Sequence, residues 1–187
     1  MNNFFVIHGS YGSPYKNWIP WLKKELSKRR FNCIVPSFST PYKQDFESWS
    51  KILKAYLEIG YITEDTTFIT HSLGGIFIIK FLIKNKIKVK KIITVAGFNN
   101  LKFNDDFNLY KSFYIEDSGL EEIKNYCSNI ICLYSDDDSY VPYEDGKMFA
   151  DSIADVQLMI PNGGHFNSKA GYTEFKELIK FIENKSI

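Results

Sequence analysis

Phe68-Ile69-Thr70-His71-Ser72-Leu73-Gly74-Gly75 is a short apolar run that ends in a serine set between a histidine and two glycines. A new apolar run, Ile76-Phe77-Ile78-Ile79, begins at once. The spacing predicts a strand that turns sharply into a helix with Ser72 at the apex, the nucleophile-elbow arrangement. Such a turn holds its apical residue in a strained backbone conformation, and the following helix must pass close to the sheet, so a side chain at Gly74 would collide. The full pattern is G-x-S-x-G, and Thr70 stands here at its first position. A Ser-Gly-Gly loop binding phosphate at a helix N-terminus is the competing local reading.

A serine hydroxyl is a weak nucleophile and needs a base within hydrogen-bond reach, itself oriented by a third group. The chain has three histidines. His71 adjoins Ser72 on a turn where neighbouring side chains diverge. His8 ends the first apolar run, in a His-Gly loop suited to presenting backbone N–H groups. His165 lies in Asn162-Gly163-Gly164-His165-Phe166, a turn that can bring an imidazole over a sheet end, and by elimination it is the base. An orienting acid is available in Ser135-Asp136-Asp137-Asp138-Ser139-Tyr140-Val141-Pro142. Three successive carboxylates repel one another, so their place at a strand end requires a role for at least one of them. A calcium loop would need more oxygen ligands at alternating spacing.

Working outward, six short apolar runs alternate with amphipathic segments. Strands are expected at 4–7, 31–35, 66–70, 91–96, 130–134 and 156–160. Helices are expected at 18–29, 45–59, from the elbow to about Lys84, at 120–126, 143–153 and 171–184, with 98–119 unassigned. This is the sequence form of a parallel sheet covered on both faces, in which function sits at the carboxyl ends of the strands. Those ends carry His8-Gly9, Ser72, Gly97-Phe98, Asp136 to Asp138 and Gly163-Gly164-His165.

The chain has 187 residues, 44% hydrophobic and 24% charged, without repeats or a linker, which fits one α/β domain over residues 1–187. A net charge of +1 argues against nucleic acid or an anionic membrane as the main partner. The lysines between Lys84 and Lys91 alternate with Ile and Val and read as a solvated helix end leading into a strand. No secretory leader is expected, and the sequence has no uncharged run of about 20 apolar residues. Cys33, Cys127 and Cys132 are odd in number and lack metal-like spacing, so a cytoplasmic setting is expected.

The motifs His8-Gly9-x-x-Gly12-Ser13-Pro14, Asn17-Trp18-x-x-Trp21-Leu22, Thr70 to Gly75, Asp138-x-x-Val141-Pro142 and Gly163-Gly164-His165-Phe166 occur in order along nearly the whole chain. Together they resemble the YdeN-like small serine hydrolases, single-domain α/β-hydrolases related to the retinoblastoma-binding-protein hydrolase. The order serine, acid, histidine is that of α/β-hydrolases. The resemblance implies a minimal core without a cap domain or the N-terminal antiparallel hairpin, with strand order 2-1-3-4-5-6. It also implies a Ser72, Asp138, His165 triad. Asp138 is chosen because the family's carboxylate stands three residues before the Val-Pro, with Asp137 as the fallback.

The activity expected is hydrolysis of a small carboxyl ester or thioester through an acyl-enzyme, with no metal and no cofactor. The oxyanion would be held by the N–H of Leu73 and one from Gly9 or Ser10. Phe98 and Phe103, with Tyr11 or Tyr140 opposite, are expected to line an apolar acyl pocket, set against ordinary aromatic packing at the sheet end. The partner is a small acyl substrate, and a protein partner cannot be read from the chain. A binding module on the same scaffold, with weak or no hydrolysis, is the alternative.

Overall fold

The computed structural model describes residues 3–99 and 107–183. Six strands form one parallel sheet: β1 (Asn3–Ile7), β2 (Asn32–Ile34), β3 (Thr67–His71), β4 (Lys91–Val95), β5 (Ile130–Ser135) and β6 (Val156–Ile160). Their order, β2-β1-β3-β4-β5-β6, is the expected one. The register pairs Ile7 with Thr70, His71 with Val95 and Ser135 with Ile160. The carboxyl ends therefore align, and the loops that follow β1, β3, β5 and β6 leave from one edge.

Alternation along each strand divides the core in two. Phe5, Ile7, Phe68, Ile92, Ile130 and Cys132 face helices α2 (Phe46–Glu58), α3 (Leu73–Asn85) and α6 (Tyr143–Ile153). Phe4, Val6, Ile69, Ile93, Val95, Ile131 and Leu133 face α1 (Ile19–Lys28) and α7 (Lys176–Ile182). Between β4 and β5 lie two short helices, α4 (Phe107–Tyr110) and α5 (Asp117–Leu120), and a 3-10 turn at Glu121–Asn125. Asp45 starts α2 by accepting the Ser48 N–H at 2.8 Å. α3 is apolar over most of its surface because nine of its residues are buried, and Lys84 near its end is exposed.

Two expectations are corrected. The last helix starts at Lys176 and not at Gly171. A 3-10 turn at Ser168–Ala170 ends on Gly171 at φ 89°, and Tyr172 and Phe175 then pack on Phe166, so the chain crosses the core before it coils. Lys91 is not solvated: it is buried, and its Nζ donates to the Phe181 carbonyl at 2.8 Å. Part of the unassigned region is ordered by polar ties. Lys80 donates to the carbonyls of Ser112 and Tyr114, and Asn99 both donates to and accepts from the backbone of Ile115. No helix among the described residues is long and apolar enough to cross a membrane.

Candidate active site

Ser72 sits between β3 and α3 at φ 54°, ψ −127°, a left-handed conformation that costs a non-glycine residue about 1–3 kcal/mol. Its N–H is held by the Val95 carbonyl at 2.8 Å. The tight turn brings α3 against the end of β1: a Cβ on Gly74 would stand 2.8 Å from the Ile7 carbonyl and 2.9 Å from that of His8. The loop after β1 approaches as closely, since a Cβ on Gly9 would lie 2.7 Å from Ser72 Cβ and 3.2 Å from Ser72 Oγ. Thr70 faces Gly75 without crowding it. A Cβ on Gly75 would meet Thr70 Oγ1 at 3.5 Å, and that hydroxyl reaches toward the Ile93 carbonyl.

The two loops that end β5 and β6 are joined residue by residue. Ser135 Oγ accepts the Gly163 N–H at 2.9 Å, and Asp136 accepts that of Asn162 at 2.8 Å. Asp137 Oδ1 accepts the Gly164 N–H at 2.7 Å and the Ser135 hydroxyl at 2.6 Å. Asp138 Oδ2 pairs with His165 Nδ1 at 2.8 Å. The other oxygen of Asp138 accepts the N–H groups of Tyr140 and Val141, and its side chain is 3% exposed. The three carboxylates thus divide the work. Asp136 and Asp137 hold the backbone of the histidine loop, and Asp138 orients the ring. The donors from Ser135 and Gly164 draw the Asp137 carboxyl below its ordinary pKa. The loop itself passes through positive φ at Asn162, Gly164 and Phe166.

His71 has a part that its sequence position did not suggest. Its ring turns away from the hydroxyl, and Nε2–H donates to the His165 carbonyl at 2.9 Å. Burial first, and then the neighbouring His165, push its pKa down to about 3, so it stays a neutral donor. Trp18 adds a second brace, donating Nε1–H to the Phe166 carbonyl at 3.0 Å. His8 is neutral for the same physical reason, lowered chiefly by burial. Its Nδ1–H donates to the Gly9 carbonyl, and its Nε2 accepts the Phe38 N–H. The His71–His165, Trp18–Phe166 and His8–Phe38 contacts join residues 94, 148 and 30 positions apart, which hid them from motif reading. The one signal was the apolar Asn17-Trp18-x-x-Trp21-Leu22 pattern.

Residues 4–184 match the family model described as serine hydrolase. The chain belongs to that family. This hydrolase is 24% identical over 168 residues to the serine hydrolase RBBP9 of Rattus norvegicus, a match covering 89% of this chain and 85% of that one. It superposes on the ydeN gene product of B. subtilis with a TM-score of 0.86 and 25% identity, covering 98% of each chain. The meta-cleavage product hydrolase CumD of Pseudomonas fluorescens shares the fold at 13% identity and a TM-score of 0.69, over 98% of this chain and 91% of that one. The architecture of this hydrolase is accordingly the α/β-hydrolase sheet in a minimal form, with no cap domain among the described residues.

A cavity of about 680 Å³ opens over the elbow of the hydrolase, and Ser72, His71 and His165 lie in its wall. Ser10, Tyr11 and Tyr140 line it as well, and the Tyr140 ring lies 4.9 Å from that of His165. Phe98 does not: it is buried in the core and packs edge-on to Tyr110. The expected acyl-pocket role for Phe98 is therefore corrected to core packing, and Phe103 lies outside the described residues. The lining is more polar than expected, including Asn17, Asn167, Ser168 and Thr173.

Proposed function

We propose that this hydrolase cleaves small carboxyl esters, with Ser72 as nucleophile, His165 as general base and Asp138 as the orienting acid. The observation that carries the reading is the 2.8 Å bond between His165 Nδ1 and buried Asp138, on a ring in the wall of the cavity that contains Ser72. With Nδ1–H committed to Asp138, Nε2 is left with its lone pair to take a proton. Ser72 Oγ forms a bond to the carbonyl carbon as its proton passes to His165, and the C=O electrons move onto oxygen. Collapse expels the alcohol, which takes that proton, and water repeats the sequence to release the acid.

The developing oxyanion is held by Leu73 N–H, at the start of α3 where backbone donors have no acceptor within the helix. A second donor comes from Gly9 or Ser10. The neighbouring N–H groups of Tyr11 and Gly12 are already bound, to Thr40 Oγ1 and the Gly9 carbonyl. Ser10 is itself anchored through its hydroxyl to buried Gln44 at 2.7 Å.

Steady-state hydrolysis of 4-nitrophenyl esters from acetate to octanoate, by wild type and Ser72→Ala, tests the proposal. Saturable turnover by wild type that falls about a thousandfold or more in the variant is expected. Equal rates in the two proteins would place any turnover outside Ser72.

A further inference from the structure

We infer that the ester this site accepts carries a second, anionic group, recognised by Lys16 and Lys169. The inference rests on the ester-hydrolase reading and names its substrate class. Lys16 belongs to the loop after β1, and Lys169 to the 3-10 turn after β6, 153 positions further along the chain. One bond brings them to the same rim: Asn17 Oδ1 accepts the Ser168 N–H at 3.1 Å, tying together the two loops immediately beside the lysines. Both lysines line the cavity that holds Ser72 and His165.

The charge of that wall is one-sided. Among the described residues its lining includes two ammonium groups, the neutral ring of His71 and the ring of His165, and no carboxylate. The three nearby aspartates, Asp136, Asp137 and Asp138, are not among the lining residues and are committed to Asn162, Gly164 and His165. Lys16 is steadied by donating to the Tyr11 carbonyl at 3.0 Å, which leaves two of its three N–H groups. Like charges gathered at the mouth of a concave site focus a positive potential there and favour a negatively charged ligand. Amide and hydroxyl groups on Asn167, Ser168 and Thr173 supply hydrogen bonds beside the lysines, while Tyr11, Tyr15 and Tyr140 offer ring faces to the rest of the molecule. A carboxylate placed a few bonds from the scissile ester meets both requirements. It takes no part in bond breaking.

Two readouts separate this inference from the reading beneath it. The first compares kcat/KM for the mono-4-nitrophenyl ester of adipic acid and for 4-nitrophenyl hexanoate, which match in chain length and differ by one carboxylate. Wild type is expected to prefer the adipate ester by about fivefold at low salt, the size expected of two exposed charge contacts. The preference falls to about unity in Lys16→Met/Lys169→Met and is weakened by added salt. The second is calorimetric binding of adipate and of neutral adipamide to folded Ser72→Ala, which needs no turnover. Adipate binding that is lost in the lysine variant supports the inference even if neither ester is cleaved, an outcome that would remove only the ester reading. Equal kcat/KM for the two esters in wild type, a preference that survives both lysine substitutions, or no adipate binding overturns it.

Discussion

Lowering the pH from 7 to 5 is expected to cost this protein about 2 kcal/mol of stability through His71 alone. In the unfolded chain the imidazole titrates at the ordinary 6.5, whereas in the folded protein burial and the facing His165 hold it at about 3. Between those values the unfolded state binds the extra proton, so stability falls as pH falls, approaching about 1.4 kcal/mol per pH unit. At pH 7 the linkage is worth only about 0.2 kcal/mol, and at pH 5 about 2 kcal/mol. His8, also lowered by burial, acts in the same direction. His71→Gln keeps an N–H donor for the His165 carbonyl and removes the titration. Urea unfolding of both proteins at pH 7, 6 and 5 isolates the effect, because His8 is common to them. The variant is expected to be less stable at pH 7 yet to lose about 2 kcal/mol less on acidification. Parallel stability-versus-pH lines for the two proteins would refute the argument, since they would mean that His71 takes up its proton in the folded state.

Other outcomes follow from the same contacts. Asp138→Asn is expected to lower kcat by about 10⁴, the loss typical when the orienting acid of a triad becomes an amide. Asp137→Asn, which alters the clamp on Gly164 and Ser135, should lower it about tenfold or less; steady-state kinetics on one ester would rank them, and the reverse ranking would move the acid to Asp137. Gly74→Ala is expected to destabilise by about 1–3 kcal/mol, because its Cβ meets two backbone carbonyls inside 3.0 Å, whereas Gly75→Ala, with nothing nearer than 3.5 Å, should cost far less. Thermal melts of the pair check this, and equal Tm losses would contradict it. Gly9→Ala should lower both stability and esterase activity, since the added methyl meets Ser72 Cβ at 2.7 Å and the His71 carbonyl at 2.9 Å; thermal melts and ester kinetics on the variant check this.

Much of this was legible in the sequence because strands, elbow and site share one signal. Apolar runs of four to six residues, closed by His8, Pro36, His71, Gly97, Ser135 and Pro161, mark both the sheet and the edge where its loops gather. The 2-1-3-4-5-6 order and the separation of His165 from the other histidines were read on that basis together with the family resemblance. What escaped depended on contacts between distant residues. Lys91 looks like one more surface lysine, and its bond to the Phe181 carbonyl, supplied by the last helix, is not announced by its place in the sequence. Phe98 follows a strand end as a pocket residue would, but packing against Tyr110 takes it into the core. The acidic triplet pointed to a function for the loop without revealing that two of its members serve the backbone. Asn17 belongs to the Asn17-Trp18-x-x-Trp21-Leu22 motif, but nothing in that motif announces that its side chain joins the loops after β1 and β6.

The central claim is that Ser72 is an activated nucleophile dependent on His165. Intact-mass analysis after treatment with a fluorophosphonate probe tests it most directly, with wild type, Ser72→Ala and His165→Ala compared as folded proteins. A single adduct on wild type that is absent from both variants is the predicted result. A folded wild type that remains unlabelled, or an adduct that persists in Ser72→Ala, would contradict the account.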